Sequence, residues 1–426
     1  MTAAAPRLHA LLTEVLGREL PLRIRAWDDT EAGPADAPAL IWLRSRRALR
    51  RLVWDPNELG LGRAYVSGDI DVEGDLYGAL KLAGVGQPRE ARAVSTRPGR
   101  KERLRSARAA AALGAVGRRP EPPPEEVRLA GVLHSRTRDR VAVSHHYDVG
   151  NDFYRLVLGP SLVYSCAVWR RPQQTLEQAQ ADKLELVCRK LDLQPGMRVL
   201  DVGCGWGSFL LHAAREHGVT GVGITLSKEQ AELATKRIAE AGLADRLEIR
   251  LQDYRDVVDG PFDAIASIGM AEHVGEAMVR EYASVLASLV RPGGRVLNHA
   301  IARRHGTKPS KESFIWRYVF PDGELLPLET TVSALEGAGL EVRDVEALRE
   351  HYALTLRQWV RNLEENWAQC VRLVGEGRAR VWRVYMAGSA LAFESGMIGI
   401  NQVLAVKPSP GGASGLPLTR EGLLLP

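Results

Sequence analysis

Cysteine is scarce in this chain: four residues in 426, Cys166, Cys188, Cys204 and Cys370, with no C-x-x-C pair among them. That excludes a disulfide framework and fits a reducing cytoplasm. Long apolar runs are missing as well. The longest near-apolar stretch, residues 385–406, carries Glu394, Asn401 and Gln402 and reads as a helix followed by a strand at 400–406, not as a membrane span. The N-terminus MTAAAPRLHALL shows no charged region, apolar core or cleavage pattern, so no signal peptide is expected. There is no G-x-S-x-G elbow, which removes one large class of nucleophilic enzymes. No residue is assigned to a metal: the adjacent His145 and His146 lack a second cluster at ligand spacing, and the acids Asp69, Asp71, Glu73 and Asp75 do not complete a calcium loop. Those acids read instead as a solvated turn and a capped helix.

What the chain has is bulk and positive charge. A hydrophobic content of 45% supports a sizeable core and two or three domains, and a net charge of +5 with a pI near 9.0 points to an anionic partner, a lipid surface or nucleic acid. The stretch RVLDVGCGWGSFLLHAAREHGVTGVGITLSKEQ, residues 198–230, organises the rest. A short apolar run breaks into Gly203-Cys204-Gly205-Trp206-Gly207 and then a helical pattern: strand, glycine turn, helix. Glycines there let a ligand approach the backbone, and the helix start offers free N–H groups. Further strands are expected at 219–225, 247–253, 262–269, 295–301, 340–347 and 400–406. Strands alternating with helices at this spacing predict an α/β fold with a doubly wound, mostly parallel sheet whose crevice lies at the carboxyl ends of the strands. Asp201, Gly203, Gly205 and Asp253 fall at that edge.

Four stretches divide the chain. Residues 1–86 form a smaller N-terminal domain, with helices expected near 8–16 and 55–67 and a strand-like patch at 40–43; Asp55 is read as the cap of the second helix, with Pro56 in its first position. Residues 87–127 are arginine-rich and end in a proline run, and read as a linker. Its Arg97, Arg100, Lys101, Arg103, Arg105 and Arg108 suit anionic headgroups or simply solubilise a linker helix. No aromatics interleave with them to stack bases, so nucleic acid is not the expected partner. Residues 128–408 form the catalytic domain, with 313–381 an insertion over the active-site edge around the strand at 340–347, and 409–426 a loose tail in which PLTREGLLL is able to dock.

The motifs YSCAVW, LDVGCGWGS, GITLSKEQ, QDYRD, EHVG and HYALTL, in this order, resemble the cyclopropane fatty acid synthase and mycolic acid cyclopropane synthase family of S-adenosylmethionine-dependent methyltransferases. The resemblance is close over about 140–406 and looser before it, where AYVSGDIDVEGDLYGAL is similar to the family's N-terminal domain. It implies a seven-stranded methyltransferase sheet and a cofactor site built from Tyr164, Ser165, Asp201, Gly203, Gly205, Thr225, Gln230, Gln252, Asp253 and Tyr254, with the H-Y-D-x-G-N segment at 146–151 helping to cover it. Ser227 and Gln230 also fit a helix capping box, and both roles stay open. Tyr254 stands where the mycolic branch has tryptophan.

The same resemblance implies a bound bicarbonate ion as the base, in a pocket of Cys166, Glu272, His299, Ile301 and Tyr352. Such a set is chemically coherent, because hydroxyl, imidazole and backbone N–H groups donate to an anion while Glu272 accepts from its protonated form. Phe314, Trp316, Tyr318, Phe320 and Trp359 are candidates for an acyl-chain tunnel or plain core. The implied reaction is methyl transfer to the double bond of an unsaturated phospholipid acyl chain, giving a cyclopropane, by an enzyme on the inner face of the membrane. The alternative is a methylene-branched product reduced by a separate reductase. Oligomeric state, homo-oligomers included, stays open.

Overall fold

The computed structural model describes residues 3–16, 19, 21–86, 108–127, 136, 138–139, 146–147, 149–307 and 313–424. The chain divides into two compact units. The first comprises Met1–Arg128, Ser310–Val319 and Gly375–Met397, and the second comprises Leu129–Pro309, Phe320–Val374 and Ile398–Pro426.

In the first unit, strands β1 (Arg23–Arg25), β2 (Glu31–Ala32), β3 (Ala39–Leu43) and β4 (Ile70–Gly74) form a mixed sheet of order β2-β1-β3-β4. The first expected helix runs over Ala4–Leu16, and a helix that the sequence reading did not name, Arg46–Trp54, starts on the Ser45 cap. The second expected helix is Glu58–Val66, and its cap is Asn57, whose Oδ1 accepts the Gly60 N–H at 3.0 Å. Asp55 is therefore not the cap: its carboxylate pairs with Arg63 at 2.8 Å and Arg119 at 2.6 Å. Two charged partners in one place outcompete a cap for the same oxygens. The acids that follow are equally committed. Asp69 is buried and accepts from Ser45, Arg47, Arg51 and Ser67; Asp71 pairs with Arg380 at 3.0 Å; Asp75 caps the helix Leu76–Leu82. The expected solvated turn is thus an ion-paired strand.

Residues 87–107 lie outside the described residues, and with them Arg97, Arg100, Lys101, Arg103 and Arg105. The described part of the expected linker is packed structure. Ala110, Leu113 and Ala115 are buried with Leu8, Ile24, Leu43 and Leu49, and Arg63 grips Glu126 through two hydrogen bonds of 2.7 and 2.6 Å. Nor is 313–381 a single insertion, since the helices Phe314–Tyr318 and Glu376–Glu394 belong to the first unit. Gly62 records the packing of the first of these: a Cβ there would lie 2.3 Å from the Phe314 ring.

The second unit is built on β5 (Arg198–Val202), β6 (Thr220–Thr225), β7 (Leu247–Leu251), β8 (Phe262–Ile268), β9 (Val290–Arg303), β10 (Leu326–Pro327), β11 (Glu341–Ala347) and β12 (Ile398–Val406). The sheet order is β11-β12-β9-β8-β5-β6-β7, with the two-residue β10 on the side of β9. β7, β6, β5, β8 and β9 are parallel; β12 runs antiparallel between β9 and β11, so β11 points the same way as the first five. These are the seven expected strands. Val199, Leu200, Asp201 and Val202 are all buried, as a central strand covered on both faces requires. The strand order reverses at β5, whose neighbours are β6 and β8, so its carboxyl end opens onto the crevice of a doubly wound sheet.

Flanking helices are placed by strong local signals. Leu176–Leu191 begins with a full capping box, Thr175 and Gln178, and ends on Asp192 in the left-handed conformation. Gly221 and Gly223 in β6 allow close approach, since a Cβ would stand 2.7 Å from Leu210 at the first and 2.9 Å from Cys204 at the second. The C-terminal tail is tied to this unit by Arg420 on Asp344 at 2.8 Å and by buried Leu423. Among the described residues, no helix is long and apolar enough to cross a membrane.

Candidate active site

One cavity collects most of the residues singled out from the sequence. It is lined by Tyr164, Ser165, Asp201, Gly203, Gly205, Thr225, Gln230, Gln252, Asp253 and Tyr254, the whole expected cofactor set. Gly203, Gly205 and Gly207 take φ of +79°, +54° and +76°, so the turn after β5 needs glycine for its backbone alone. A Cβ on Gly205 would meet nothing within 4 Å, which marks open space against the main chain of the turn.

At the end of β6, Thr225 Oγ1 donates to Gln230 Oε1 at 2.8 Å, while Ser227 Oγ accepts the Gln230 N–H at 3.2 Å. Only half of the capping box forms. The Gln230 amide is held by Thr225 and keeps its NH₂ group for the cavity, so the backbone and the side chain of Gln230 carry the two roles separately. Asp253 differs from expectation, because both of its oxygens are engaged by Arg255, at 2.8 and 2.6 Å, and Gln252 Nε2 donates to the Asp256 carbonyl. They shape the wall through these bonds. Tyr254 presents a buried ring, edge-on to Tyr282 at 5.6 Å.

The sequence reading missed Lys183. It is buried in the cavity wall, donates to Ser165 Oγ at 3.1 Å, and burial pulls its ammonium down to about 8. Burial pushes Asp201 up to about 7, partly offset by Lys183. Two opposite charges in one dry wall each limit the other's cost. A lysine on the apolar face of an otherwise amphipathic helix was the available signal. Trp206 Nε1 donates to Asn151 Oδ1 at 2.7 Å, tying the glycine turn to the helix Asn151–Leu158. His146, the described member of the histidine pair, stacks on Tyr164 and lies 3.2 Å from its hydroxyl.

Next to this cavity, whose wall includes Ser165 and His273, four of the expected anion residues are linked by a chain of contacts. Glu272 Oε1 accepts the Ile301 N–H at 2.8 Å; Ile301 is paired with Ile400; the Ile400 carbonyl accepts from Leu348; and the Leu348 carbonyl accepts from both Cys166 Sγ at 3.6 Å and the Tyr352 N–H at 3.2 Å. His299, two residues before Ile301 on β9, faces the same side of the sheet. Glu272 Oε2 and both ring nitrogens of His299 are buried without a hydrogen-bond partner among the described residues. Burial pushes Glu272 up to about 7 and drives the His299 imidazole well below its ordinary value, so the ring is neutral. Orphaned buried polar atoms of this kind are costly and ask for a ligand. An oxyanion that carries a hydroxyl fits them: neutral His299 has an N–H to give, and ionised Glu272 accepts through Oε2.

One expectation needs correction. The Ile301 N–H is spent on Glu272, which it positions, and is not free for an anion. Cys166 is a neutral thiol raised well above its ordinary value by burial, and its Sγ bonds to the Ala167 and Leu348 carbonyls. The tunnel candidates separate. Trp359 is fully buried beside Tyr164 and Tyr352, and Phe320 lies against His146 and His273, all in the second unit; Phe314, Trp316 and Tyr318 belong to the first.

Comparison with known proteins agrees with this geometry. The chain is 43% identical over 410 residues to the Mycobacterium tuberculosis protein named "probable fatty acid methyltransferase Rv3720", covering 93% of this chain and 94% of that one. It is 32% identical over 426 residues to tuberculostearic acid methyltransferase UfaA1 of the same organism, covering 96% and 93%. A crystal structure of mycolic acid cyclopropane synthase CmaA1 complexed with SAH and CTAB superposes with a TM-score of 0.60 at 34% identity, over 63% of this chain and 98% of that one. A family model described as mycolic acid cyclopropane synthetase matches residues 134–403, and with well over half its length so matched, this chain belongs to that family.

Proposed function

We propose that this S-adenosylmethionine-dependent methyltransferase alkylates the double bond of an unsaturated acyl chain in a membrane phospholipid and closes it to a cyclopropane. The observation that carries this reading is the buried, unpartnered pair Glu272 Oε2 and His299 next to the cofactor cavity. S-adenosylmethionine supplies an electrophilic methyl group on a cationic sulfur. The glycine turn, Thr225-Gln230 and Tyr164 hold and orient the donor; Asp201 and Lys183 set the charge of the wall beside it. An unactivated alkene needs no base at the start, only alignment and exclusion of water. After transfer a proton must leave, and Glu272 and His299, with Tyr352 and Cys166 close by, would hold bicarbonate to receive it. Glu272, in its ionised form, would accept that proton in turn through Oε2.

A second reading keeps the same residues and ends in a methylene-branched chain that a separate reductase would saturate. The near full-length match to a tuberculostearic acid methyltransferase favours it. Membrane association rests on the net charge of +5, the basic stretch before residue 108, and the half-exposed Val53 and Trp54 at the end of an arginine-rich helix. The deciding experiment is expression in cells fed a monounsaturated acid deuterated at both alkene carbons. A gain of one CH₂ with one deuterium kept on each carbon supports ring closure. Both deuteriums on one carbon, with vinylidene protons, would establish the methylene product, and no protein-dependent gain would refute both readings.

A further inference from the structure

Away from the cavity, the helices Leu176–Leu191 and Ser208–His217 bring together Cys188, His212 and His217, the latter two 24 and 29 positions along the chain from the cysteine. One ligand atom from each, the Cys188 sulfur and a ring nitrogen of each histidine, lies within 4.8 Å of the others. Glu185, one turn before Cys188, reaches both histidines: its Oε2 is 2.9 Å from His217 Nε2 and 3.4 Å from His212 Nε2, while its Oε1 pairs with Arg189 at 2.8 Å. Those spacings resemble the edges of a tetrahedral zinc site, which bond lengths of about 2.0–2.3 Å set at roughly 3.3–3.8 Å. The cysteine and the two histidines need to close by at most about 1.5 Å, and Glu185 joins them by turning from Arg189 toward the sulfur.

We propose that Cys188, His212, His217 and Glu185 form a structural site for a zinc-class divalent cation that clamps these two helices together. The sequence reading assigned no metal because the ligands come from two helices at no recognised spacing, and only their packing side by side assembles the set. Soft thiolate and imidazole donors select zinc-class ions over calcium or magnesium. Cys188 is fully buried and each histidine side chain is about one-fifth exposed, which leaves an entry path from one side only. The charges balance: on binding, Cys188 loses its proton to solvent, each imidazole binds as the neutral ring with its one proton on the nitrogen away from the metal, and thiolate plus carboxylate neutralise the 2+ ion. The same helices supply Lys183, Leu184, Ser208 and Phe209 to the cofactor cavity, so the clamp sits behind that wall and touches no reacting atom.

The test uses the full chain without an affinity tag. Titration with Co²⁺ should give a thiolate-to-cobalt charge-transfer band saturating at one equivalent, and dialysis should leave one Zn²⁺ per chain. Cys188→Ser, which keeps Cys166, Cys204 and Cys370, should abolish the band. His212→Asn with His217→Gln should weaken Zn²⁺ binding at least tenfold. S-adenosylhomocysteine binding, retained in these variants, verifies that they fold. If Cys188→Ser does not fold, the histidine variant alone decides. No charge-transfer band in the wild type, an undiminished band in Cys188→Ser, or unchanged Zn²⁺ affinity in the histidine variant would each overturn the site.

Discussion

Replacing Glu272 by Gln separates the chemistry of the buried carboxyl from its cost. Burial raises this group from 4.5 to about 7 in the folded chain. At about 1.4 kcal/mol per pH unit, keeping it ionised costs the folded state roughly 3 kcal/mol. The sign follows from linkage. Below pH 4.5 the carboxyl is protonated in both folded and unfolded chains, and its contribution is fully present. As pH rises from 4.5 to 7 the unfolded chain ionises while the folded one keeps its proton, so stability falls and then levels off. Glutamine does not titrate. It still accepts the Ile301 N–H through its carbonyl, but its NH₂ carries a constant penalty of about 1–3 kcal/mol unless it finds a partner. The diagnostic is therefore the slope and not the offset: the unfolding free energy of Glu272→Gln relative to wild type should rise by about 3 kcal/mol between pH 4.5 and 8. Over the same range, methyl transfer from labelled S-adenosylmethionine into lipid should drop by a factor of about 10²–10⁴ in kcat with cofactor KM nearly unchanged. The wild-type rate should fall away below about pH 7, where Glu272 takes up its proton. A flat stability difference would refute the burial argument, and surviving turnover would refute the chemical one.

Three other outcomes are expected. Asp201→Ala should weaken S-adenosylhomocysteine binding at least about tenfold by calorimetry, because it removes a buried carboxyl from the cavity wall and leaves Lys183 uncompensated; unchanged affinity would displace the cofactor site. Asp201→Asn preserves the shape and removes the charge, so the affinity for cationic S-adenosylmethionine should fall more than that for neutral S-adenosylhomocysteine, and equal losses would show that the charge does not act on the sulfonium. Neutralising Arg100, Lys101, Arg103, Arg105 and Arg108 together should weaken sedimentation with anionic vesicles and flatten its salt dependence while cofactor affinity holds; an unchanged salt response would leave the stretch as a solubilising segment.

The catalytic sheet was legible because its strands are short, buried and separated by loud punctuation. Val199 to Val202 and the glycines that follow allow one arrangement, and all seven expected strands form. Legibility failed where long-range ion pairing overrode local pattern. Asp55 has every local qualification for a helix cap, yet Arg63 and Arg119 claim it; residues 108–127 have a linker's composition, yet Glu126 is gripped by Arg63. Arginine at such positions reports nothing about its partner, which is chosen only when the chain folds.

The same division runs through the site. The residues expected to hold the cofactor line one cavity, and they could be picked out together because turn geometry and family pattern act on consecutive residues. Lys183 was not, since a lysine in a helix is solvated by default and only burial beside Ser165 and Asp201 gives it a role. Nor could sequence reveal that Ile301 serves Glu272 directly. That bond has a consequence for catalysis. It fixes Oε1 as the bound end of the carboxyl, so under the proposed function Oε2 is the oxygen that would exchange a proton, and the direction of transfer would be set by a backbone amide of β9. No side-chain substitution at 301 removes an amide hydrogen except proline. Variants at Ile301 should therefore change packing while leaving the Glu272 proton path intact, and the identity of the residue there matters less to the chemistry than its place in the strand.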